Sequence, residues 1–259
     1  MSNIEVKTRN RNTSTFDIGH STFDIVKAKL PKSFDALVHL FLPHHCAGCG
    51  SDIMSRQQVL CLSCIDRLPV TQFHRHANNP VEKIFWGRLP INSAASYLYF
   101  SKDSLLQKLV HQLKYNGHKE LGLFIGRKMG EALIQSWRYD YIDALVPLPL
   151  YAARERKRGY NQAAVLCQGM AEVLQVPVLT HCIRRQVSSE TQTRKNRIER
   201  WQNMQGKFEL QEPGAIHGKH ILLVDDVITT GATLEACGQA LLTAGNIQLS
   251  IMTMAYTSR

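Results

Sequence analysis

The stretch "ILLVDDVITTGATLEACGQAL", from Ile221 to Leu241, contains the clearest structural signal in the chain. Four apolar residues come first, followed by two aspartates, a run of small residues and an amphipathic segment. A short apolar run bounded by turn residues predicts a buried strand, and apolar residues at helical spacing predict a helix. The stretch is therefore expected to form a strand, a loop and a helix of an α/β protein.

Strands and helices are predicted to alternate along the rest of the chain as well. The predicted strands are residues 93–100, 143–150, 176–185, 220–226 and 246–255. The predicted helices are residues 101–115, with Ser101 or Ser104 as the cap, 119–137, 159–175 and 231–244. This order favours a doubly wound parallel sheet, in which ligands bind at the carboxyl ends of the strands. Asp225, Asp226 and residues 229–233 would lie at that edge.

The small residues after the strand are suited to binding a phosphate. Without bulky side chains, backbone N–H groups at a helix start can face an anion, and the helix dipole adds to the attraction. The glycine and lysine spacing of a Walker loop and the glycine pattern of a dinucleotide site are both absent. The two carboxylates suit the hydroxyls of a neighbouring diol, which together with the phosphate describes a ribose 5-phosphate. The alternative is a buried strand that ends at an ordinary helix cap.

This stretch resembles the motif by which type I phosphoribosyltransferases bind phosphoribosyl pyrophosphate (PRPP). The resemblance implies that Asp225 and Asp226 contact the ribose hydroxyls and act in catalysis. It also implies a loop for the 5-phosphate, made of Thr229, Thr230, Gly231, Ala232 and Thr233.

Two CxxC pairs, "CAGC" (46–49) and "CLSC" (61–64), are separated by eleven residues. Four thiolates complete a tetrahedral shell around zinc and leave no position for water, which predicts a structural zinc site. The predicted ligands are Cys46, Cys49, Cys61 and Cys64. A redox dithiol or a chance pairing is the alternative, and His44 and His45 are possible competing ligands. The three other cysteines lie in apolar contexts and are expected to be core thiols: Cys167, Cys182 and Cys237.

The composition agrees with a globular protein that binds anions. The chain has 259 residues and a formal net charge of +10, which favours phosphates, nucleic acid or an anionic surface as partners, or reflects only a basic exterior. No apolar run approaches the ~20 residues of a membrane span, and the N-terminus has no secretory core. We therefore expect a cytoplasmic protein.

Three parts of the chain are expected. Residues 1–32 are a weakly ordered extension, or non-native translation from an early start codon. Residues 33–72 form a helix and the zinc ribbon, followed by a linker over residues 72–80. Residues 90–259 form the main domain.

The order of the motifs resembles the ComF family, which includes ComFC- and GntX-like proteins. The blocks are "LFLPHHCAGCG", "HQLKYNGHKELG", "VPLPLYAARERKRGYNQAAVL", "QTRKNRIERWQNMQGKF" and the acidic motif. The resemblance implies a type I phosphoribosyltransferase fold behind a zinc ribbon. It also implies a role in DNA uptake during competence, or in the use of internalised DNA.

Two basic segments are predicted to bind anions. The first, "ARERKRGYNQ" (153–162), follows the strand end that meets pyrophosphate in this fold, so Arg158 and Gly159 are candidate anion contacts. The second, residues 186–204, corresponds to the loop that closes over PRPP in type I enzymes, which makes Arg194 and Lys195 catalytic candidates. Mg²⁺ would bind mainly through the pyrophosphate and water. The alternatives are a solvated helix start and a disordered basic loop.

Three functions remain open from the sequence. One is a PRPP-binding protein of DNA uptake, and another is a nucleotide-salvage phosphoribosyltransferase with an unknown acceptor. The third is a non-catalytic module that binds single-stranded DNA beside a competence helicase. Its candidate contacts are Arg154, Arg156, Lys157 and Arg200. Aromatic residues among cations can stack bases, although they are often ordinary core residues. These aromatic residues are Tyr115, Tyr160 and Trp201.

Overall fold

The computed structural model describes residues 45–52, 58–186 and 207–257. Several sequence predictions lie outside these residues: the extension over residues 1–32, the helix that follows it, and most of the basic segment 186–204. The individual residues outside the described part are His44, Arg194, Lys195, Arg200 and Trp201.

The described part contains eight α-helices, two short 3₁₀ turns and six strands. The helices are α1 Leu62–Asp66, α2 Pro80–Phe85, α3 Leu105–Tyr115, α4 Lys119–Ile134, α5 Ala152–Arg158, α6 Gln162–Leu174, α7 Pro213–Ile216 and α8 Ala232–Leu242. The strands are β1 Ser93–Phe100, β2 Ala144–Pro147, β3 Ile183–Arg185, β4 Phe208–Leu210, β5 His220–Ile228 and β6 Gln248–Thr257. The 3₁₀ turns are Phe73–Arg75 and Trp137–Tyr139.

A four-stranded parallel sheet forms the centre of the molecule, with the strand order β1-β6-β5-β2. All residues from Ile221 to Val224 in β5 are fully buried, so both faces of the sheet are covered. Helix α6 packs on β2 and β5, and α8 packs on β5. The predicted α/β fold with a parallel sheet is therefore confirmed.

A second, two-stranded sheet stands beside the first. Strands β3 and β4 pair antiparallel, with Ile183 opposite Leu210. The prediction of one strand region over residues 176–185 was wrong in extent. Val178 makes a single parallel bridge to Leu145, and only Ile183–Arg185 forms a strand. The split follows from pairing, because the first half joins the edge of the main sheet and the second half pairs with β4.

Helix α3 is the first helix after β1, and its last turn lies near the carboxyl end of β5, where Lys114 meets Asp226. Ser104 caps it by accepting a hydrogen bond from the Gln107 N–H at 3.2 Å, so of the two predicted caps Ser104 is confirmed. Its 11 residues span roughly 16 Å, which exceeds the ~10 Å between β1 and β5 across β6. The helix can therefore start beyond β1 and end beside the carboxyl end of β5.

The segment 72–80, predicted as a linker, is folded instead. It contains the first 3₁₀ turn and then Asn79, whose side chain accepts a hydrogen bond from the Val81 N–H at 2.9 Å and donates to the Ala94 carbonyl at 2.8 Å. A buried ion pair between Arg138 and Glu82, 2.5 Å long, holds α2 against the domain. The polar residues that suggested a linker are capping and pairing groups, and they fix α2 in place.

In the described ranges, no helix is both long enough and apolar enough to cross a membrane.

Candidate functional site

The two aspartates lie near the carboxyl end of β5. The strand continues to Ile228, two residues beyond the predicted end, so both aspartates belong to the strand itself. The Asp226 N–H donates to Asp225 Oδ1 at 2.8 Å, and the Val227 N–H donates to Asp226 Oδ1 at 2.6 Å. These backbone contacts fix the orientation of both carboxylates at the edge where a parallel sheet binds ligands.

A lysine that the sequence analysis did not single out completes the acidic pair. Lys114 Nζ lies 2.8 Å from Asp226 Oδ2, and the two side chains are only 22% and 14% exposed. Burial raises the pKa of Asp225 well above its ordinary value, and the charge of Asp226 raises it further. The cations Lys114 and Arg185 act in the opposite direction. Lys114 is therefore the direct ion-pair partner of Asp226, and the charges of Lys114 and Arg185 both favour ionisation of Asp225.

The loop after β5 has the form expected of a phosphate site. Gly231 adopts a left-handed conformation, with φ at 72°, and begins α8 without any side-chain cap. The Ala232 N–H donates to Thr230 Oγ1 at 3.4 Å, and the following N–H groups of the first turn are left for a ligand. A Cβ at Gly231 would lie 2.5 Å from Ile84 Cγ2, so helix α2 covers the loop closely. The hydroxyl-bearing Thr229 and Thr230 are exposed.

Arg88, which follows α2, holds the loop after β5 from the side. Its Nη1 donates to the carbonyls of Ile84 at 3.1 Å and Thr230 at 3.3 Å. Its Nη2 pairs with the buried carboxylate of Glu235, in the first turn of α8. An acidic group in that turn would repel a bound phosphate, so the guanidinium neutralises an otherwise unfavourable charge.

The first basic segment folds as α5, and Gly159 ends it in a left-handed conformation. Arg158 donates to Gln162 Oε1 at 2.7 Å, and its guanidinium lies 5.7 Å from the ring centre of Tyr115. Tyr115 is 63% exposed, and the His111 ring lies 4.8 Å from it. We call His111, Tyr115 and Arg158 the stacking surface. The other basic residues of α5 are exposed to solvent: Arg154, Arg156 and Lys157.

Tyr160, proposed from the sequence as a stacking residue, is a core residue instead. Only 8% of it is exposed, and its hydroxyl donates a hydrogen bond to the carbonyl of Leu113 in α3. Burial also raises its pKa. Its contact with Lys119, 5.4 Å from the ring centre, therefore belongs to the packing between α3, α4 and the loop before α6.

Arg185 stands where the chain leaves the small sheet. Its guanidinium lies 3.8 Å from the ring centre of Tyr151 and 5.3 Å from that of Phe208. The buried Nε has no hydrogen-bond partner among the described residues. The residue also borders a cleft of about 610 Å³ beside the carboxyl end of β2, together with His181 and Leu150. A cation fixed by aromatic rings beside a cleft is suited to an anionic group.

The four N-terminal cysteines converge as predicted. Their sulfur atoms all lie within 4.8 Å of one another, close enough to hold one metal ion. The N–H groups of Gly48 and Cys61 donate to Cys46 Sγ at 3.4 and 3.3 Å. Burial opposes ionisation of Cys46, but these N–H donors and that of Cys49 outweigh it and lower its pKa to about 6. A Cβ at Gly48 would lie 2.7 Å from Cys64 Sγ and 2.8 Å from Leu105 Cδ1, so the turn has no room for a side chain at this position.

The remaining cysteines behave as predicted. Cys167, Cys182 and Cys237 are buried free thiols in the core. Burial raises the pKa of each of them, which makes them poor nucleophiles.

The sequence motifs identified the acidic pair, the phosphate loop and the cysteines, but they missed Lys114 and Arg88. Lys114 stands in the block "HQLKYNGHKELG", which entered only as part of a resemblance. Arg88 lies just beyond the segment interpreted as a linker, and nothing in the local sequence connects it to residue 235. Both contacts bridge positions more than 100 residues apart.

A parallel sheet, an acidic strand end and a glycine-initiated helix define a phosphoribosyltransferase-like protein, here with a four-cysteine cluster near its N-terminus. The model of the phosphoribosyl transferase domain matches residues 157–257. The DNA utilization protein YhgH of Salmonella typhi is 31% identical over 155 residues, which cover 59% of this chain and 67% of that protein. The chain belongs to the ComF family.

Two further similarities are more local. The competence protein ComFC of Bacillus subtilis is 40% identical over 101 residues, 39% of either chain. The solved structure of a glutamine PRPP amidotransferase from B. subtilis, complexed with ADP and GMP, is 16% identical with a TM-score of 0.38. The match covers 54% of this chain and 30% of the amidotransferase, so it spans less than a third of that protein.

Proposed function

We propose that this chain binds PRPP, or another ribose 5-phosphate group, together with Mg²⁺, and that it acts in the uptake or use of DNA. The observation that carries the first part is the acidic pair near the end of β5, followed by a helix that starts at Gly231 without a side-chain cap from that residue. The second part is supported by relatives named for DNA utilization and competence. The cytoplasm is the compartment in which such a protein would meet both PRPP and internalised DNA.

Each part of the proposed site has a distinct task. The first turn of α8 and the hydroxyls of Thr229, Thr230 and Thr233 would hold the 5-phosphate, because unpaired N–H groups and hydroxyls donate to its oxygens. Asp225 and Asp226 would accept hydrogen bonds from the ribose hydroxyls. These contacts leave ribose C1 facing the carboxyl edge, where an acceptor can displace pyrophosphate. Bound Mg²⁺ would neutralise charge on the leaving pyrophosphate.

Arg185 is the described cation best placed for the leaving pyrophosphate, because it borders the cleft beside β2 and its charge acts to lower the pKa of Asp225. Arg194 and Lys195 remain sequence predictions for the same task.

Calorimetric titration of the metal-loaded protein with PRPP and Mg²⁺ tests the proposed site. We expect saturable binding with a Kd near or below about 100 μM. Asp226→Asn should weaken it by about 10- to 100-fold, since a charged hydrogen-bond acceptor is lost in a half-buried site. Asp140→Asn, at an exposed position, is the matched control and should bind like the unaltered protein. Absence of heat up to about 1 mM PRPP would refute the proposal.

The stacking surface favours a second function, binding of single-stranded DNA. Tyr115 and His111 are exposed on one face of α3, and Arg158 lies over the tyrosine ring. Aromatic rings beside cations stack successive bases with little sequence preference. The same face of α3, with Lys108, borders a groove of about 550 Å³. The exposed cations of α5 would extend this surface along the phosphate backbone.

Fluorescence anisotropy with a labelled thymidine oligonucleotide tests this second function. Tyr115→Ala should weaken binding by about 5- to 100-fold, as expected for loss of one stacked base, and Tyr115→Phe should retain it. Tyr141→Ala removes a tyrosine elsewhere that is even more exposed, at 90%, and should have no effect. Charge reversal of Arg154, Arg156 and Lys157 should reduce the dependence of affinity on salt. An unaltered affinity in Tyr115→Ala would exclude the stacking surface as the contact.

The cysteine cluster most closely fits structural zinc, because four thiolates close a tetrahedral shell. Cys46 and Cys64 belong to the same buried core as Leu60 and Leu68, so the proposed ion would join the cysteine turns to the domain. A competence helicase is the protein partner that the resemblance to the ComF family implies.

A further inference from the structure

The ion pair between Lys114 and Asp226 has no role in the proposed sugar-phosphate site as described so far. A ribose that donates hydroxyl hydrogens needs only carboxylate oxygens. Yet Lys114 Nζ occupies one oxygen of the pair, at 2.8 Å, in a place where both side chains are largely withdrawn from water. Half-buried ion pairs contribute little to stability on average, because desolvation offsets the attraction. The pair therefore requires another explanation.

The lysine is held in position by the helix that carries it. Leu109 and Leu113 of α3 are almost fully buried. The Tyr160 hydroxyl donates to the Leu113 carbonyl, which anchors the last turn of the helix. Lys114 is in that turn, so its backbone is fixed independently of Asp226. The backbone position from which the ammonium group reaches the site therefore does not depend on the ion pair.

The distribution of oxygens shows what the site can still bind. Asp226 Oδ1 accepts from the Val227 N–H, Asp226 Oδ2 faces Lys114, and Asp225 Oδ1 accepts from the Asp226 N–H. Among the described residues, Asp225 Oδ2 is the one carboxylate oxygen of the pair without a hydrogen-bond partner. Two adjacent free carboxylates would attract Mg²⁺, which prefers such oxygens. A carboxylate already neutralised by an ammonium group is a poor metal ligand, but it still accepts a hydrogen bond from a hydroxyl.

We propose that Lys114 is a specificity-determining residue, the fixed counter-ion that makes the acidic pair select sugar hydroxyls over a bare divalent cation. The inference rests on the proposed sugar-phosphate site and deepens it. A divalent ion would then enter with the pyrophosphate of the ligand, away from Asp226. The site could not be blocked by free Mg²⁺ in the absence of the sugar.

Manganese binding without any sugar phosphate provides the test, since Mn²⁺ is a paramagnetic ion with ligand preferences close to those of Mg²⁺. The metal-loaded protein is titrated with Mn²⁺ at pH 8, and bound ion is followed by electron paramagnetic resonance. The unaltered protein should show no Mn²⁺ site that depends on Asp226 up to about 5 mM Mn²⁺. The Lys114→Met variant should gain such a site with a Kd at least about tenfold below that limit. The Lys114→Arg variant keeps the positive charge and should therefore gain no Mn²⁺ site.

Two control variants distinguish the loss of positive charge beside the acidic pair from the loss of positive charge elsewhere on α3. Lys108→Met removes the same charge two turns earlier on α3 and should bind no Mn²⁺. The double variant Lys114→Met/Asp226→Asn should lose the gained site. Each variant is first compared with the unaltered protein by thermal unfolding.

Two results would overturn the inference. One is Mn²⁺ binding by the unaltered protein that Asp226→Asn removes, and this result does not require any Lys114 variant to fold. The other is a folded Lys114→Met variant that gains no site. Neither result involves PRPP, so failure of this inference is distinguishable from failure of PRPP binding, which is measured separately.

Discussion

Replacement of Gly231 by alanine tests how tightly α2 covers the phosphate loop. Two contributions to the loss in the free energy of unfolding are expected. The left-handed backbone, with φ at 72°, costs an alanine about 1–2 kcal/mol. The new Cβ would also lie 2.5 Å from Ile84 Cγ2 and 3.2 Å from Phe85 Cε1, and overpacking of this kind costs about 1–3 kcal/mol. The total loss in the free energy of unfolding is therefore about 2–5 kcal/mol.

Gly245→Ala supplies the matched control. Gly245 has the same φ of 72°, but a Cβ there would meet nothing within 4 Å. The difference between the two variants in urea unfolding of the metal-loaded protein therefore isolates the contact with α2. Ile84→Ala removes the contacting methyl, so the combination with Gly231→Ala should cost less than the sum of the two. Equal destabilisation of Gly231→Ala and Gly245→Ala, with additive behaviour of the double variant, would refute the close contact.

Three further predictions concern charge and metal. Arg88→Met should weaken phosphate binding measured by calorimetry, because Glu235 then carries an unpaired charge at the start of α8. The double variant with Glu235→Gln should recover most of the loss, whereas persistence of the full loss would contradict this explanation. Burial, followed by the charges of neighbouring cations, lowers the pKa of His74, and both of its ring nitrogens lack partners among the described residues. A lowered pKa means that the unfolded chain binds the proton first, so stability should fall as the pH drops below about 6.5. His74→Leu should reduce this fall in urea unfolding, and identical pH profiles would disprove the assignment. Removal of metal by a chelator should lower the melting temperature of the unaltered protein but not that of Cys49→Ser, which is already deficient in metal binding.

Much of the site could be predicted because its parts are contiguous in sequence. The acidic pair, the small-residue loop and the helix follow one another between Asp225 and Leu242, so periodicity and residue size were sufficient to place them. The cysteine cluster was predictable for a similar reason. Each CxxC turn brings two sulfurs together locally, and only the approach of two turns needed the fold. Local patterns predict local geometry well.

The contacts that complete the site could not be predicted in this way. Lys114 reaches Asp226 only because the last turn of α3 lies beside the carboxyl end of β5. Arg88 reaches Glu235 only because the segment before it folds, and that segment has a composition typical of linkers. Its Asn79 and Glu82 are polar because they cap and pair, which composition alone does not distinguish from polarity due to solvent exposure. Tertiary contacts of this kind decide the role of a polar residue.

The two tyrosines among the basic residues show which side-chain directions can be predicted from the sequence. Tyr115 is in a helix whose buried face consists of Leu106, Leu109, Val110 and Leu113, so helical periodicity places it outside that face. Tyr160 is in a loop, where no periodicity indicates a direction, and it is buried.

A helix turns by about 100° per residue, so adjacent side chains at its end point in different directions. The last turn of α3 can therefore direct Lys114 to the acidic pair and Tyr115 to solvent. On this geometry, Tyr115→Ala should leave the manganese measurements unaltered while weakening DNA binding, and a joint loss would show that the two surfaces are not independent.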